Sequence, residues 1–170
     1  MPKVKLYIAT SLDGFIAERD GGVGWFYTDG DYGYAAFFDS VEALIMGRHT
    51  YEQVLGFAES PDGEKHTYVF TRSAPGGERQ HVEFISSDAG TFVEALHQRL
   101  MSDIWLVGGA ALVSTFRKLG LIDEYILSVH PVLLGDGIPL FERPQQREGL
   151  RLQEVHSFER GFVQLRQVVE

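Results

Sequence analysis

Apolar and polar positions fall into two kinds of run along this chain. Short apolar runs bounded by glycine, proline or small polar residues read as strands, over residues 3–10, 43–46, 67–71, 82–85, 104–107 and 125–132. Between them lie stretches of helical character. Residues 31–40 set Tyr34, Phe37, Phe38 and Val41 at helical spacing, 48–55 read as a short helix, 90–100 as an amphipathic helix and 110–119 as a further one. Thr91-Phe92-Val93-Glu94 has capping-box form, and Thr50 and Gln53 have the same spacing. Asp13-Gly14 and Asp20-Gly21-Gly22 are turn signals around a short apolar piece, Phe15-Ile16-Ala17. Residues 150–157 and 162–169 read as a closing hairpin turned near Glu159-Arg160-Gly161.

Strands alternate with helices through the middle of the chain, which implies parallel crossovers, and strand follows strand at the end, which implies antiparallel additions. The expected fold is therefore α/β: a three-layer αβα arrangement with a mixed, mostly parallel central sheet and a C-terminal antiparallel hairpin. A length of 170 residues, 44% of them hydrophobic, fits one domain spanning 1–170. On such sheets ligands bind beyond the carboxyl ends of the strands.

Charge and composition narrow the chemistry. A formal net charge of −9 argues against general nucleic-acid binding, which needs a basic surface. An anionic ligand then requires a local site of a few cations and backbone N–H groups. No apolar run approaches the ~20 residues that span a bilayer, so no membrane association is expected. The N-terminus reads as a first strand, not as a signal peptide. The absence of cysteine excludes disulfides, thiol nucleophiles and Cys-ligated zinc, and fits a cytoplasmic protein. Six histidines show neither HExxH nor i, i+4 pairing, so no metal is expected.

Four strand ends carry candidate chemistry. In "IWLVGGAALVSTF" a buried strand runs into Gly108-Gly109 and a helix begins at Ala110. The first N–H groups of a helix lack internal partners and carry partial positive charge, and paired glycines let a diphosphate approach the backbone. A tight strand-to-helix turn without a ligand explains the same residues. In "LIMGRHTY" a strand ends on Gly47, followed by Arg48, whose guanidinium fork suits phosphate, and by Thr50 at a helix start. The plain alternative is a surface arginine beside a capped helix. In "YVFTRS" a strand ends in Thr71, Arg72 and Ser73, all potential donors to an anion. In "IATSLDGFIA" the first strand ends in small polar residues, Thr10 and Ser11, that can border a flat ring, with Asp13-Gly14 as the turn. One pyrophosphate site plus two arginines for an extra phosphate suggests NADP rather than NAD. The aromatic stretch Trp25 to Phe38 reads as core, a dimer seam or the wall of a flat pocket.

In this order the four pieces resemble the dihydrofolate reductase superfamily, whose branches include the C-terminal reductase domain of the bifunctional riboflavin-biosynthesis deaminase/reductase. "LIMGRHTYE" is similar to the dihydrofolate reductase segment that holds NADPH, "VGG" before a helix to the family's pyrophosphate loop, and "TSLDGFIA" and "LIDEYILSVHPVLLGDGIPLF" to the riboflavin-type branch. The resemblance implies an NADPH-dependent oxidoreductase transferring hydride to a small flat heterocycle, a pteridine or a 5-amino-6-ribosylaminouracil-like pyrimidine. The alternative is a non-catalytic nucleotide-binding or sensing module of the same fold. By the same resemblance Thr10 and Asp13 lie on the nicotinamide side. Gly47, Arg48, Thr50, Thr71 and Arg72 hold the adenosine-phosphate end, and Gly108, Gly109 and Ala110 hold the pyrophosphate. Asp31 falls near the acidic substrate contact of dihydrofolate reductases and is the candidate proton-side residue. Val107 stands where riboflavin-type reductases carry an acidic substrate contact. Relatives of the riboflavin type are commonly dimers, so a homodimer is expected.

Overall fold

A computed structural model describes residues 1–56, 65–73 and 79–170. Eight strands form one sheet in the order β5-β4-β3-β6-β1-β7-β10-β9. The first strands are β1 (Val4–Ser11), β3 (Val41–Gly47), β4 (His66–Phe70) and β5 (Val82–Ile85). The rest are β6 (Asp103–Gly108), β7 (Glu124–His130), β9 (Leu150–Ser157) and β10 (Val163–Val169). All pairings from β5 across to β7 are parallel, and β10 runs antiparallel to both β7 and β9. The mixed sheet is the one expected. A second, two-stranded sheet pairs β2 (Phe15–Ala17) with β8 (Ile138–Pro139). Their short length hides β8 from any periodicity argument.

Hydrophobic continuity explains the central strands. In β3 the run Ala43-Leu44-Ile45-Met46 is buried throughout because both faces are covered. On one face Leu6, Ile45, Ile104 and Leu106 meet α3 (Ala89–Arg99) and α4 (Ala110–Lys118) through Val93, Leu96, Val113 and Phe116. The opposite face carries α1 (Tyr34–Asp39) and α2 (Arg48–Leu55), with Leu44, Met46 and Val69 around Tyr51, and Tyr7 and Trp105 around Phe37.

Two capping expectations fail for a local reason. The N-cap of α3 is Asp88, whose carboxylate accepts from Thr91 N–H at 2.9 Å, so Thr91 sits inside the helix rather than at its start. At α2 the chain enters the helix directly from the strand at Gly47, so Thr50 is already helical and Gln53 turns away to donate to Gly21 O at 2.9 Å. The helix read over 31–40 is shorter, because Asp31 lies ahead of its first turn.

Candidate functional site

The carboxyl ends of β1, β3, β4, β6 and β7 share one edge of the sheet, since these strands are mutually parallel. Strands β3 and β6 are neighbours at its centre. Their register slips between Ile45 and Met46, which pair with Leu106 and Gly108, so Val107 is the extra residue and Gly108 arrives opposite Met46. Each of these strands feeds a helix without an intervening loop. Helix α2 has Gly47 as N-cap and α4 has Gly109, and neither receives a side-chain cap among the described residues. Helix α3, at the edge of the sheet, is capped by Asp88. Two helices thus point uncapped N–H groups at adjacent places on the central edge, where partial positive charge accumulates.

The approach between them is close. A Cβ built on Gly47 would lie 3.7 Å from Gly109 N and 3.8 Å from Gly108 O, and one on Gly109 would lie 3.4 Å from Thr50 Oγ1. Gly108 has φ +127, a conformation side chains rarely adopt, and the peptide between it and Gly109 is cis. So Gly47, Thr50, Gly108 and Gly109 form one cradle, with Ala110 buried as the first residue of α4.

Arg48 links this cradle to the end of β4. Its Nε donates to Glu52 Oε1 at 2.8 Å and its Nη1 to Ser73 Oγ at 2.9 Å. Thr71 holds the same loop, donating from Oγ1 to Ser73 O at 2.8 Å and from its backbone N–H to Ile85 O at 2.9 Å. Arg72 is exposed beside it. The second arginine therefore lies one residue from the hydroxyl that Arg48 binds.

The end of β1 is built differently. Thr10 and Ser11 are buried, and Ser11 Oγ donates to Asp13 Oδ1 at 2.6 Å while accepting from Phe15 N–H at 2.9 Å. Asp13 also accepts from Leu134 N–H at 3.2 Å and Gly135 N–H at 2.8 Å. These bonds, that from Ser11 foremost, hold its carboxyl below the ordinary carboxylate range. Asp13 thus clasps the β1–β2 turn to the loop after β7, and Ser11 organises that clasp. Gly137 closes the loop: a Cβ there would meet Ala17 O at 2.3 Å.

Asp31 accepts from Gly33 N–H at 3.1 Å and Ala35 N–H at 3.0 Å, so both carboxylate oxygens serve the start of α1. It lies near enough to Tyr7 to help raise that phenol, which burial pushes up first. Tyr7 stacks on Phe37 with ring centroids 4.1 Å apart and meets Trp105 edge-on at 5.9 Å. Its oxygen accepts from Gln164 Nε2 at 3.4 Å, and the same amide donates to Ser128 Oγ at 3.1 Å.

His130, at the end of β7, is buried beside Ser11 in register. Nδ1 faces Ser128 O at 3.2 Å and Nε2 accepts from Tyr27 N–H at 3.1 Å, which assigns the proton to Nδ1. Trp25, Phe26, Tyr27 and Phe162 surround the ring. Burial lowers its pKa. The aromatic stretch is thus divided: residues 25–27 cover His130, while Tyr34, Phe37 and Phe38 pack around Trp105. Sequence reasoning named Ser11 only as a small polar residue at a strand end and did not single out Gln164 or His130. For His130 the one signal was a histidine at the end of a strand, and for Gln164 there was none.

Two concave regions lie elsewhere. One, about 700 Å³, sits between the end of α4 and residues 144–148, and the other, about 530 Å³, at the opposite edge by Lys65 and Arg99. The walls of the first are tied together: Arg117 and Tyr125 both bind Glu148, and Arg117 lies over Phe141. Neither gathers groups that could do redox chemistry. Among the described residues no group of three or more His, Asp or Glu could hold a metal ion, and no helix is long and apolar enough to cross a membrane.

Comparison with known proteins adds lineage to this geometry. The model of the RibD C-terminal domain matches residues 60–163. The uncharacterized protein YwjB of Bacillus subtilis is 44% identical over 160 residues, covering 92% of each chain. Riboflavin biosynthesis protein RibD of Corynebacterium ammoniagenes is 29% identical over 84% of this chain and 47% of its own length, so this chain spans about half of that relative. A solved structure from Shewanella sp. PV-4, described as a riboflavin biosynthesis protein, has a TM-score of 0.88 at 25% identity and covers 99% of both chains.

Proposed function

Because the chain belongs to the RibD C-terminal domain family, we propose that it is an NADPH-dependent reductase of the riboflavin type, passing hydride to a small flat heterocycle such as a pteridine or an aminouracil-like pyrimidine. The observation that carries this reading is the pair of uncapped helix starts at Gly47 and Gly109, set side by side with no Cβ between them. A pyrophosphate set over that edge would accept from the uncapped first-turn N–H groups of α2 and α4. Arg48, Arg72 and the Thr71–Ser73 hydroxyls stand one strand away, where a 2′-phosphate would meet charge and donors together.

NADPH would supply the hydride. The chain's own residues bind, orient and exclude water. Ser11 and Asp13 fix the end of β1 as a rigid border for the nicotinamide side, with Thr10 buried beneath it. On the face under α1, Tyr7, Ser128 and Gln164 offer a hydroxyl pair and an amide to the polar edge of a heterocycle. Tyr7 is a phenol and so protonated at neutral pH, and burial raises its pKa further. Asp31 is the candidate proton-side group, and it would have to release one backbone N–H of α1 to act.

That engagement favours a second reading: a nucleotide-binding or sensing module that reduces nothing. NADPH oxidation, followed with a panel of pterins, pyrimidines and quinones, separates the two. Consumption above background with any acceptor supports the reductase. Saturable NADPH binding with no turnover across the panel supports the sensor, and no binding overturns both.

A further inference from the structure

The amino ends of β3, β4 and β6 form the sheet edge opposite the cradle, and α3 ends there. Strand β3 is seven residues long, so the two edges lie roughly 20 Å apart at ordinary strand rise. This far edge holds the hollow of about 530 Å³, within the size range of small-molecule sites.

Its floor is a buried phenol. Tyr68 is 1% exposed, with its ring in the main core and edge-on to Phe92 at 5.0 Å. Yet Tyr68 lines the hollow, so its hydroxyl tip is what opens there. His66, two residues earlier on β4, stands with its ring 5.7 Å away. The Tyr68 hydroxyl has no hydrogen-bond partner among the described residues. Buried polar groups are normally satisfied, so a phenol left open beneath a hollow points to a partner from outside the chain. Burial pushes this phenol up, and Arg99 pulls it the other way, which sets the guanidinium towards the hydroxyl end.

The charges around the hollow do not cancel. Arg99, in the last turn of α3, makes no hydrogen bond or ion pair among the described residues. It stays unpaired in a chain with 24 acidic side chains for 15 basic ones. Lys65 donates to Val41 O and stands 4.6 Å over the Phe38 ring, which leaves its remaining protons to the hollow. Among the described residues the one lining carboxylate is Glu42, and its Oε2 is engaged by Met101 N–H and Ser102 N–H, both at 2.8 Å. Glu83 pairs with Tyr68 in register but does not line the hollow. Two cations thus face one occupied carboxylate, and the free carbonyls that end α3 add only partial negative charge.

We propose that this hollow binds the phosphate group of a small phosphate monoester, at a site separate from the cofactor cradle. The Arg99 fork and the Lys65 ammonium supply charge, and the Tyr68 hydroxyl donates from beneath. Donors arriving from β4, from α3 and from the chain ahead of β4 suit a tetrahedral group better than a planar carboxylate. Val41 and Leu100 give the organic part of the ester an apolar wall. The site stands whether or not the chain reduces anything.

Amide NMR titration of the isotope-labelled full chain with inorganic phosphate and with glycerol 3-phosphate, at fixed ionic strength and without dinucleotide, tests it. Saturable shifts at His66, Tyr68, Arg99 and Ser102 are expected with both probes. Arg99→Gln should weaken that binding at least tenfold, whereas Arg48→Ala, at the cradle, should leave it unchanged. Tyr68→Phe keeps the ring and should weaken it severalfold; if that variant unfolds, the exposed Arg99 decides alone. Shifts confined to Gly47, Gly108 and Gly109 would put the phosphate on the cradle and overturn the proposal. No saturable shift with either probe overturns it too, as does an equal response to acetate or chloride.

Discussion

Gly47 ends β3 and Gly109 follows the end of its neighbour β6, with so little between them that a Cβ on the first would stand 3.7 Å from the amide nitrogen of the second. That distance is ordinary van der Waals contact, and Gly47 has φ −79, which alanine adopts freely. The fold alone therefore does not demand glycine at 47. A ligand seated on the two helix starts, as proposed, would. Gly47→Ala should cost about 1 kcal/mol of stability, the usual loss when alanine replaces a better N-cap residue. NADPH affinity should fall at least tenfold by calorimetry. Unchanged affinity would mean that the glycines only turn the chain.

Arg48→Ala should weaken NADPH about tenfold or more and NADH little, because a charge-assisted contact to phosphate contributes ~1.5–3 kcal/mol. The bond to Glu52 is an exposed i, i+4 pair, so its loss should change stability by less than ~0.5 kcal/mol. Paired titrations of the two dinucleotides measure both; equal weakening removes Arg48 from the 2′-phosphate.

Asp31→Ala should lose the first-turn bonds of α1 and cost ~1 kcal/mol in urea unfolding, as caps do. Asp31→Asn retains an acceptor oxygen and most of that stability. If Asp31 is the proton-side group, Asp31→Asn should abolish a limb of the pH profile of turnover. A profile identical to wild type would assign the residue to capping alone.

His130 makes stability depend on pH. Its folded pKa lies below the ordinary value of 6.5, so the unfolded chain takes up the proton first as pH falls. The stability from the neutral ring is complete above about pH 6.5 and drains below it until the folded pKa is passed. His130→Gln should lower stability at pH 8 yet flatten the fall between pH 6.5 and 5. Urea midpoints at a series of pH values show the slope; an unaltered slope would place the titration elsewhere.

Arg166→Ala should leave Glu124, 1% exposed, charged without its partner. A broken buried pair costs 3–5 kcal/mol; since the Arg166 side chain is 45% exposed, about 2 kcal/mol is expected. Glu124→Gln together with Arg166→Ala should recover part of it in denaturant melts.

Legibility followed the range of the interactions. Strands over 43–46 and 104–107 were plain in the sequence because burial on both faces leaves an unbroken apolar run, and the parallel middle and antiparallel end followed from the order of elements. The candidate cradle residues were legible too, since glycine at a strand end followed by a helix is a local pattern. Both capping boxes misled, because whether a hydroxyl caps a helix depends on where the helix starts: α2 begins straight after Gly47, and α3 is capped by Asp88 ahead of Thr91. Asp13 looked like a turn residue, yet most of its bonds reach to Leu134 and Gly135, some 120 positions away.

The sequence by itself determined the α/β class, the mixed main sheet and the list of groups proposed to hold a dinucleotide, because periodicity and backbone freedom are properties of neighbours along the chain. Only the tertiary structure decided that Gly47 meets Gly109, that His130 sits neutral among aromatics, and that a one-residue slip at Gln153 turns Leu152 and Val155 to the same side. Those outcomes depend on register between strands far apart in the chain, which no local pattern of residues encodes.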